Sequence, residues 1–283
     1  MSVKIIECPR DAMQGIYEFI PTDVKISYLD QLLKVGYHTL DCGSFVSPKA
    51  IPQMADTGEV LDAIDWKSSD TRLSVIVANS RGADIAAEKE MVTYMGFPFS
   101  VSQEFQKRNT NKAIEEAVDV VEYIKNTCDS SQKQMVVYIS MGFGNNYGED
   151  WNPKLVAKWV EVLAKFGIDS ISISDTVGVA NTEKIESVFQ LLLKEFPEIE
   201  FGAHFHTTAD TWREKVDAAW NNGCMRFDGA IGGFGGCPMA EDRLVGNMPT
   251  ERLLQYFEGK SVDLGLNSEE FHRARLMSTE IFP

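Results

Sequence analysis

Runs of apolar, β-branched and aromatic residues alternate along the chain with stretches whose apolar positions recur at helical spacing. Eight strand-like runs fall at residues 3–7, 38–41, 73–77, 91–96, 135–140, 170–174, 200–205 and 225–230. Helical patterns follow them near 22–35, 57–64, 81–88, 111–126, 153–166, 182–196, 208–222 and 250–257. Such alternation predicts βα units around a parallel sheet. Helix ends are marked by chemistry: Asn152 caps before Pro153, and Val35-Gly36, Phe166-Gly167 and Asn222-Gly223 read as stops. Eight repeats within the 283 residues predict an α/β fold of the (β/α)8 TIM barrel type, with 1–283 as one domain. The alternative, an open doubly wound sheet, usually carries a glycine fingerprint after its first strand, where this chain reads Glu7-Cys8-Pro9-Arg10-Asp11. The segment 261–283 is expected to add a helix packed on the barrel.

Composition narrows the function classes. Hydrophobic residues make up 44% and charged residues 24%, with no apolar run of membrane-spanning length and no signal-like start, so a cytoplasmic protein is expected. A formal net charge of -15 argues against nucleic-acid and anionic-membrane partners, since that surface repels phosphate. An anionic substrate would need a local cation. The five cysteines Cys8, Cys42, Cys128, Cys224 and Cys237 are widely spaced and fit neither a disulfide framework nor a zinc knuckle. Most are expected to be small buried hydrophobes. Cys237 differs, because glycines surround it: Gly229, Gly232, Gly233, Gly235 and Gly236 precede it in a stretch too poor in side chains to build a core.

On a barrel, residues just past the carboxyl ends of the strands form the working face. Arg10, Asp11 and Gln14 follow the first strand, Asp41 and Ser44 the second, and Asp175 and Thr176 the sixth. The seventh ends in His204-Phe205-His206, whose imidazoles share one face because strand side chains alternate. With Asp11 and Asn247 as oxygen donors, they predict a site for Mg²⁺ or Mn²⁺ rather than structural zinc. His38 and His272 stand singly and read as structural or exposed. Asp175 fits a general base or a helix cap equally, and Asp41 has no charge partner evident in the sequence. Lys107, Arg108 and Lys112, in the loop expected after the fourth strand, form a basic cluster able to hold phosphate, as does Lys49.

Taken together these motifs resemble the 3-hydroxy-3-methylglutaryl-CoA (HMG-CoA) lyase family of metal-dependent barrels. The resemblance covers nearly the whole chain. It is carried by Pro9-Arg10-Asp11-Ala12-Met13-Gln14, Ser44-Phe45-Val46-Ser47-Pro48-Lys49, Pro52-Gln53-Met54, Lys107-Arg108-Asn109, Asp175-Thr176-Val177-Gly178-Val179, His204-Phe205-His206, Gly232 to Pro238, and Gly246-Asn247. Gly-Gly-Cys-Pro at 235–238 is the most specific, separating lyases from related synthases. The resemblance implies Asp11, His204, His206 and Asn247 as metal ligands, Arg10 as the cation at the reacting carbonyl and Cys237 as the catalytic thiol. Asp41, Asp175 and Glu251 fall on acidic positions tied to catalysis or to loop placement. Gln14, Ser44, Lys107, Arg108 and Thr176 are expected to face a CoA thioester, in a homodimer.

Several positions depart from the family pattern. Ala12-Met13 stand where Gly-Leu is common, Asp41 where a Glu is, Thr207-Thr208-Ala209-Asp210 where Asp-Thr-Tyr-Gly is, and Asn145-Asn146 where Cys-Pro is. The reaction expected is retro-Claisen cleavage of a 3-hydroxyacyl thioester, with Asp175, Asp41 or a Cys237 relay as base. Alternatives are a metal-dependent aldolase, an acyl-CoA condensing synthase acting on a 2-oxo acid, and a barrel kept only for binding. Synthases usually carry further C-terminal domains, and this sequence ends soon after the barrel.

Overall fold

A computed structural model of the protein describes residues 2–236 and 245–282. The apolar runs form eight parallel strands: β1 (Lys4–Glu7), β2 (Thr39–Ser44), β3 (Arg72–Ile76), β4 (Val92–Ser100), β5 (Gln134–Ser140), β6 (Ser170–Asp175), β7 (Glu200–Thr207) and β8 (Arg226–Gly229). Each pairs with its neighbour in sequence, and β1 pairs with β8, which closes the sheet into a (β/α)8 barrel. Closure removes every free edge among the eight. A short ninth strand, β9 (Gly246–Asn247), runs antiparallel to β7 at its carboxyl end and sets Asn247 opposite His206.

The helices are α1 (Pro9–Gln14), α2 (Thr22–Leu33), α3 (Thr57–Ala63), α4 (Ser80–Glu88), α5 (Gln103–Thr110), α6 (Ile114–Ser130), α7 (Pro153–Ala164), α8 (Thr182–Glu195), α9 (Trp212–Asn221), α10 (Thr250–Gly259) and α11 (Ser268–Ile281). Their apolar stripes turn inward. On α7 Val156, Val160 and Leu163 are buried, and on α8 Ile185, Val188 and Leu192 are. Each such side chain contributes about 2 kcal/mol by leaving water. Alternation along the strands gives the other face to the barrel interior, where Ile76, Tyr94, Val136 and Tyr138 form a smaller cluster of their own. The expected C-terminal helix is α11, tied to α2 by the Gln31 amide donating to Glu270 and by Phe282 meeting Tyr28 edge-on at 5.9 Å.

Three expectations need correction. The fourth strand does not stop at Gly96 but runs to Ser100. Gly96 is a packing position rather than a break, since a Cβ there would meet Ile76 Cδ1 at 2.6 Å. Lys107 and Arg108 lie not in a loop but on α5, which is capped by Ser102 and stopped by Asn111 at φ 56°. The helix after β7 starts at Trp212, four residues later than Thr208.

Candidate functional site

Strand β1 delivers the chain to Cys8, and Pro9 at the first position of α1 starts the turn that carries Arg10, Asp11 and Gln14. One helical turn puts these side chains within reach of one another. Arg10 Nη1 donates to Asp11 Oδ1 at 3.1 Å and to Gln14 Oε1 at 2.9 Å, while the Gln14 amide donates to Asp11. The rest of the guanidinium reaches β2, where Arg10 Nε and Nη2 both donate to Asp41 Oδ2, at 3.0 and 2.5 Å. Asp41 therefore has a charge partner that its sequence surroundings do not show.

His204 and His206 point to the same mouth, their rings 5.5 Å apart. His204 Nε2 lies 3.5 Å from Asp11 Oδ2, and its Nδ1 lies 3.1 Å from Oδ2 of Asp228, its register partner on β8. A carboxylate behind an imidazole fixes the ring and its tautomer, the arrangement usual behind metal-ligating histidines. Asp11, His204 and His206 bring ligand atoms within 4.8 Å of one another, a group that could hold a metal ion. Asn247 stands beside them, and its Nδ2 donates to Phe234 O at 2.8 Å, which leaves the amide oxygen as its ligand atom.

The buried charge also asks for a cation. Asp11 and Asp41 share the Arg10 guanidinium while Asp228 sits behind His204, and among the described residues Oδ1 of both Asp41 and Asp228 is buried without a hydrogen-bond partner. A buried carboxylate oxygen without a donor is costly, and a divalent ion would offset that cost. The residues present therefore fit a bound metal. Burial raises the Asp11 carboxyl, but Arg10 and then His204 outweigh it and hold Asp11 well below the usual carboxylate range. Burial lowers the His204 imidazole, yet its contacts with Asp11 and Asp228 carry it up to about 10. His206 is lowered to about 4, first by burial and then by the charge of His204, so it stays neutral and able to ligate.

Glycine conformation decides how closely the loop after β8 approaches. Gly235 adopts φ 92°, and a Cβ there would come within 2.5 Å of Asp11 O and 2.7 Å of Asn247 Nδ2. Only glycine lets this backbone pass between two prospective ligands. Phe234 next to it stacks on Phe282 at 4.9 Å. Cys237 lies outside the described residues.

The other predicted residues are placed as follows. Asp175 Oδ2 accepts from the Lys215 ammonium at 2.6 Å and Oδ1 from Ala180 N at 3.0 Å, so the carboxylate is already engaged. Lys215 also donates to His206 O at 2.8 Å. Thr176 Oγ1 accepts from Met141 N and Ser44 Oγ donates to Ile76 O, which ties both hydroxyls to backbone. Glu251 Oε2 accepts from Gly232 N at 3.0 Å, pinning the start of the glycine stretch. Lys107 and Arg108 sit in the last turn of α5, Arg108 paired with Glu104. His38 bridges Thr39 and Arg72 and serves structure.

Sequence reasoning missed Asp228, Lys215 and Glu7. Asp228 was recoverable by strand parity with His204, whereas Lys215 sits in an ordinary polar-looking helix. Glu7, fully buried, accepts from Ile231 N at 2.8 Å and pairs with the Thr250 hydroxyl at 2.5 Å, joining both stems of the loop. Burial pushes its carboxyl up from 4.5 to about 8 against those hydrogen bonds. Unfolded, Glu7 ionises near 4.5, whereas folded it keeps its proton to about 8, so stability falls as pH rises across that window. The loss is on the order of 4 kcal/mol. Glu7→Gln is expected to flatten this fall, read as urea unfolding at about pH 5 and about pH 8; a pH dependence equal to that of the wild type would remove Glu7 as its source.

A parallel barrel with an Asp-His-His group and a paired Arg at its carboxyl face defines a barrel enzyme whose site could hold a metal ion. The chain belongs to the HMGL-like family, whose pattern it matches over residues 3–277. It is 32% identical to a hydroxymethylglutaryl-CoA lyase of Bacillus subtilis over 265 residues, covering 93% of this chain and 87% of that one. It is also 32% identical to the mitochondrial hydroxymethylglutaryl-CoA lyase of Macaca fascicularis, covering 96% of this chain and 83% of that one. An HMG-CoA lyase of Acinetobacter baumannii, solved with coenzyme A and 3-methylmalate, superposes with a TM-score of 0.92 at 29% identity, covering 99% of this chain and 91% of that one.

Proposed function

We propose that this chain is a carbon-carbon lyase that cleaves a 3-hydroxyacyl-CoA, HMG-CoA foremost, to acetyl-CoA and a keto acid. The observation that carries this reading is the convergence of Asp11, His204 and His206 beside the Arg10–Asp41 pair. Family membership and full-length relatives that are HMG-CoA lyases support it. Asp11, His204, His206 and Asn247 would hold the ion, and their oxygen and imidazole donors suit Mg²⁺ or Mn²⁺. When bound, it supplies Lewis acidity at the substrate hydroxyl.

The chain's own residues supply the rest. Asp41 is the better placed base, because its Oδ1 has no partner among the described residues whereas Asp175 is held by Lys215 and Ala180. Arg10, fixed by Asp41, Asp11 and Gln14, offers N–H donors to charge developing on the thioester oxygen, a role worth about 3 kcal/mol in comparable sites. Cys237 protonates the enolate carbon, and the glycine stretch bearing it excludes water when it covers the mouth. Asp175 and Glu251 act by placement: Asp175 through Lys215 on the His206 strand end, Glu251 on Gly232. Gln14, Ser44 and Thr176 line the acyl end, with Lys107 and Arg108 toward the CoA phosphates. Among the described residues no helix is long and apolar enough to cross a membrane, and we read the protein as a cytoplasmic homodimer of one-domain chains.

A panel of 3-hydroxyacyl-CoA thioesters and 4-hydroxy-2-oxo acids, given to Mn²⁺-loaded protein, tests the assignment. Acetyl-CoA release from HMG-CoA, reduced at least about 100-fold in Cys237→Ser, is expected. Cleavage of the oxo acids alone would make the protein an aldolase.

A further inference from the structure

His204 faces two ligand groups, and the proposed reaction uses only one. Besides Asp11 and His206, it also meets Cys8 and Asp228: the Cys8 thiol, a ring nitrogen of His204 and a carboxylate oxygen of Asp228 all lie within 4.8 Å of one another. Of the two nitrogens it is Nδ1 that faces Asp228, at 3.1 Å. Cys8 sits at the carboxyl end of β1, 1% exposed, and among the described residues its Sγ has only a 3.8 Å hydrogen-bond contact, with Ile6 O. Asp228 Oδ1, equally buried, has no hydrogen-bond partner among the described residues. Of the three members of this pocket, His204 and its orienting Asp228 already serve the Asp11 group, while the Cys8 thiol has no task in the lyase chemistry.

Donor chemistry separates the two groups. Carboxylate, amide and imidazole suit hard ions such as Mg²⁺ and Mn²⁺, whereas a thiolate selects softer or borderline ions. We propose that Cys8, His204 and Asp228 form a second, soft-metal site for Zn²⁺ or Cd²⁺ that competes with the Asp11 group for His204. On binding, the Cys8 thiol loses its proton to solvent as the sulfur–metal bond forms. The imidazole likewise gives up its Nδ1 proton to solvent as the nitrogen–metal bond forms and keeps the proton on Nε2, so the nitrogen facing Asp11 offers no lone pair. One ring therefore serves one site at a time. The site stands on its own geometry, while the competition rests on the function proposed above.

The test uses full-length protein in which Cys237→Ser removes the loop thiol, compared with the same protein carrying Cys8→Ser, and with Cys8→Ala should the serine variant not fold. Titration with Cd²⁺ is followed by the ultraviolet thiolate-to-Cd²⁺ charge-transfer band, and bound Mn²⁺ by electron paramagnetic resonance. The band is expected with Cys8 present and absent without it, with Cd²⁺ affinity at least about 10-fold weaker in the Cys8 variants. Cd²⁺ is expected to release Mn²⁺ from the Cys8-containing protein at concentrations that leave it bound in the variants, whose own Mn²⁺ affinity is unchanged. An equal band in both proteins, or equal Mn²⁺ release, overturns the proposal. Failure of every protein to bind Mn²⁺ would instead overturn the Asp11–His204–His206 site, with the Cd²⁺ band still deciding the Cys8 one.

Discussion

Asp11→Ala is expected to weaken Mn²⁺ binding at least about 100-fold, close to 3 kcal/mol, and to lower turnover in step. Asp11 is the one carboxylate in the group with His204 and His206, so its loss leaves two imidazoles and the Asn247 amide oxygen, none of them anionic, to hold a divalent ion. Its removal also frees Arg10 Nη1 and the Gln14 amide, both of which now donate to its carboxylate. Saturating metal would restore part of the activity if binding alone were lost. Activity that stays low at saturation would show that the Arg10 donors have moved as well. Calorimetry for Mn²⁺ beside turnover at rising metal concentration separates the two contributions, and unchanged Mn²⁺ affinity would remove Asp11 from the ligand set.

Lys215→Met is expected to destabilise the fold by about 3–5 kcal/mol, the usual result of leaving a buried partner uncompensated. Both Lys215 and Asp175 side chains are 1% exposed, and the ammonium also serves the carbonyls of His206 and Gly178. It thereby ties the carboxyl ends of β6 and β7 together just behind the histidines. Adding Asp175→Asn is expected to recover part of the loss, because the orphaned charge disappears while the carbonyls remain unsatisfied. Denaturant unfolding of both single variants and the double would show this coupling; strict additivity would mean that the pair does not interact.

These partnerships explain what the sequence did and did not reveal. The barrel was legible because parallel strands buried on both faces leave continuous apolar runs, and capping chemistry marks where helices begin. The fourth strand was cut short at Gly96 because glycine and Pro98 are ordinarily breakers, yet here Gly96 makes room for the Ile76 side chain. Helix α5 escaped notice because its eight residues carry little apolar periodicity, only Phe105 and Gln106 being buried. At the site, His204-Phe205-His206 announced itself by alternation, a local property. The pairs Arg10–Asp41, Lys215–Asp175 and Ile231–Glu7 join residues 31, 40 and 224 positions apart, so nothing local to either partner signals them. The same distance hid the choice between two bases, which turns on Lys215 having already engaged Asp175.

The strand-end Asp-His-His group is proposed to make this barrel a metal-dependent lyase. The most direct test is turnover of HMG-CoA by protein stripped of metal and then reloaded. Acetyl-CoA and keto acid should appear in equal amounts with Mg²⁺ or Mn²⁺ and cease on chelation. Undiminished cleavage by the stripped protein, or none by the loaded one, would contradict it.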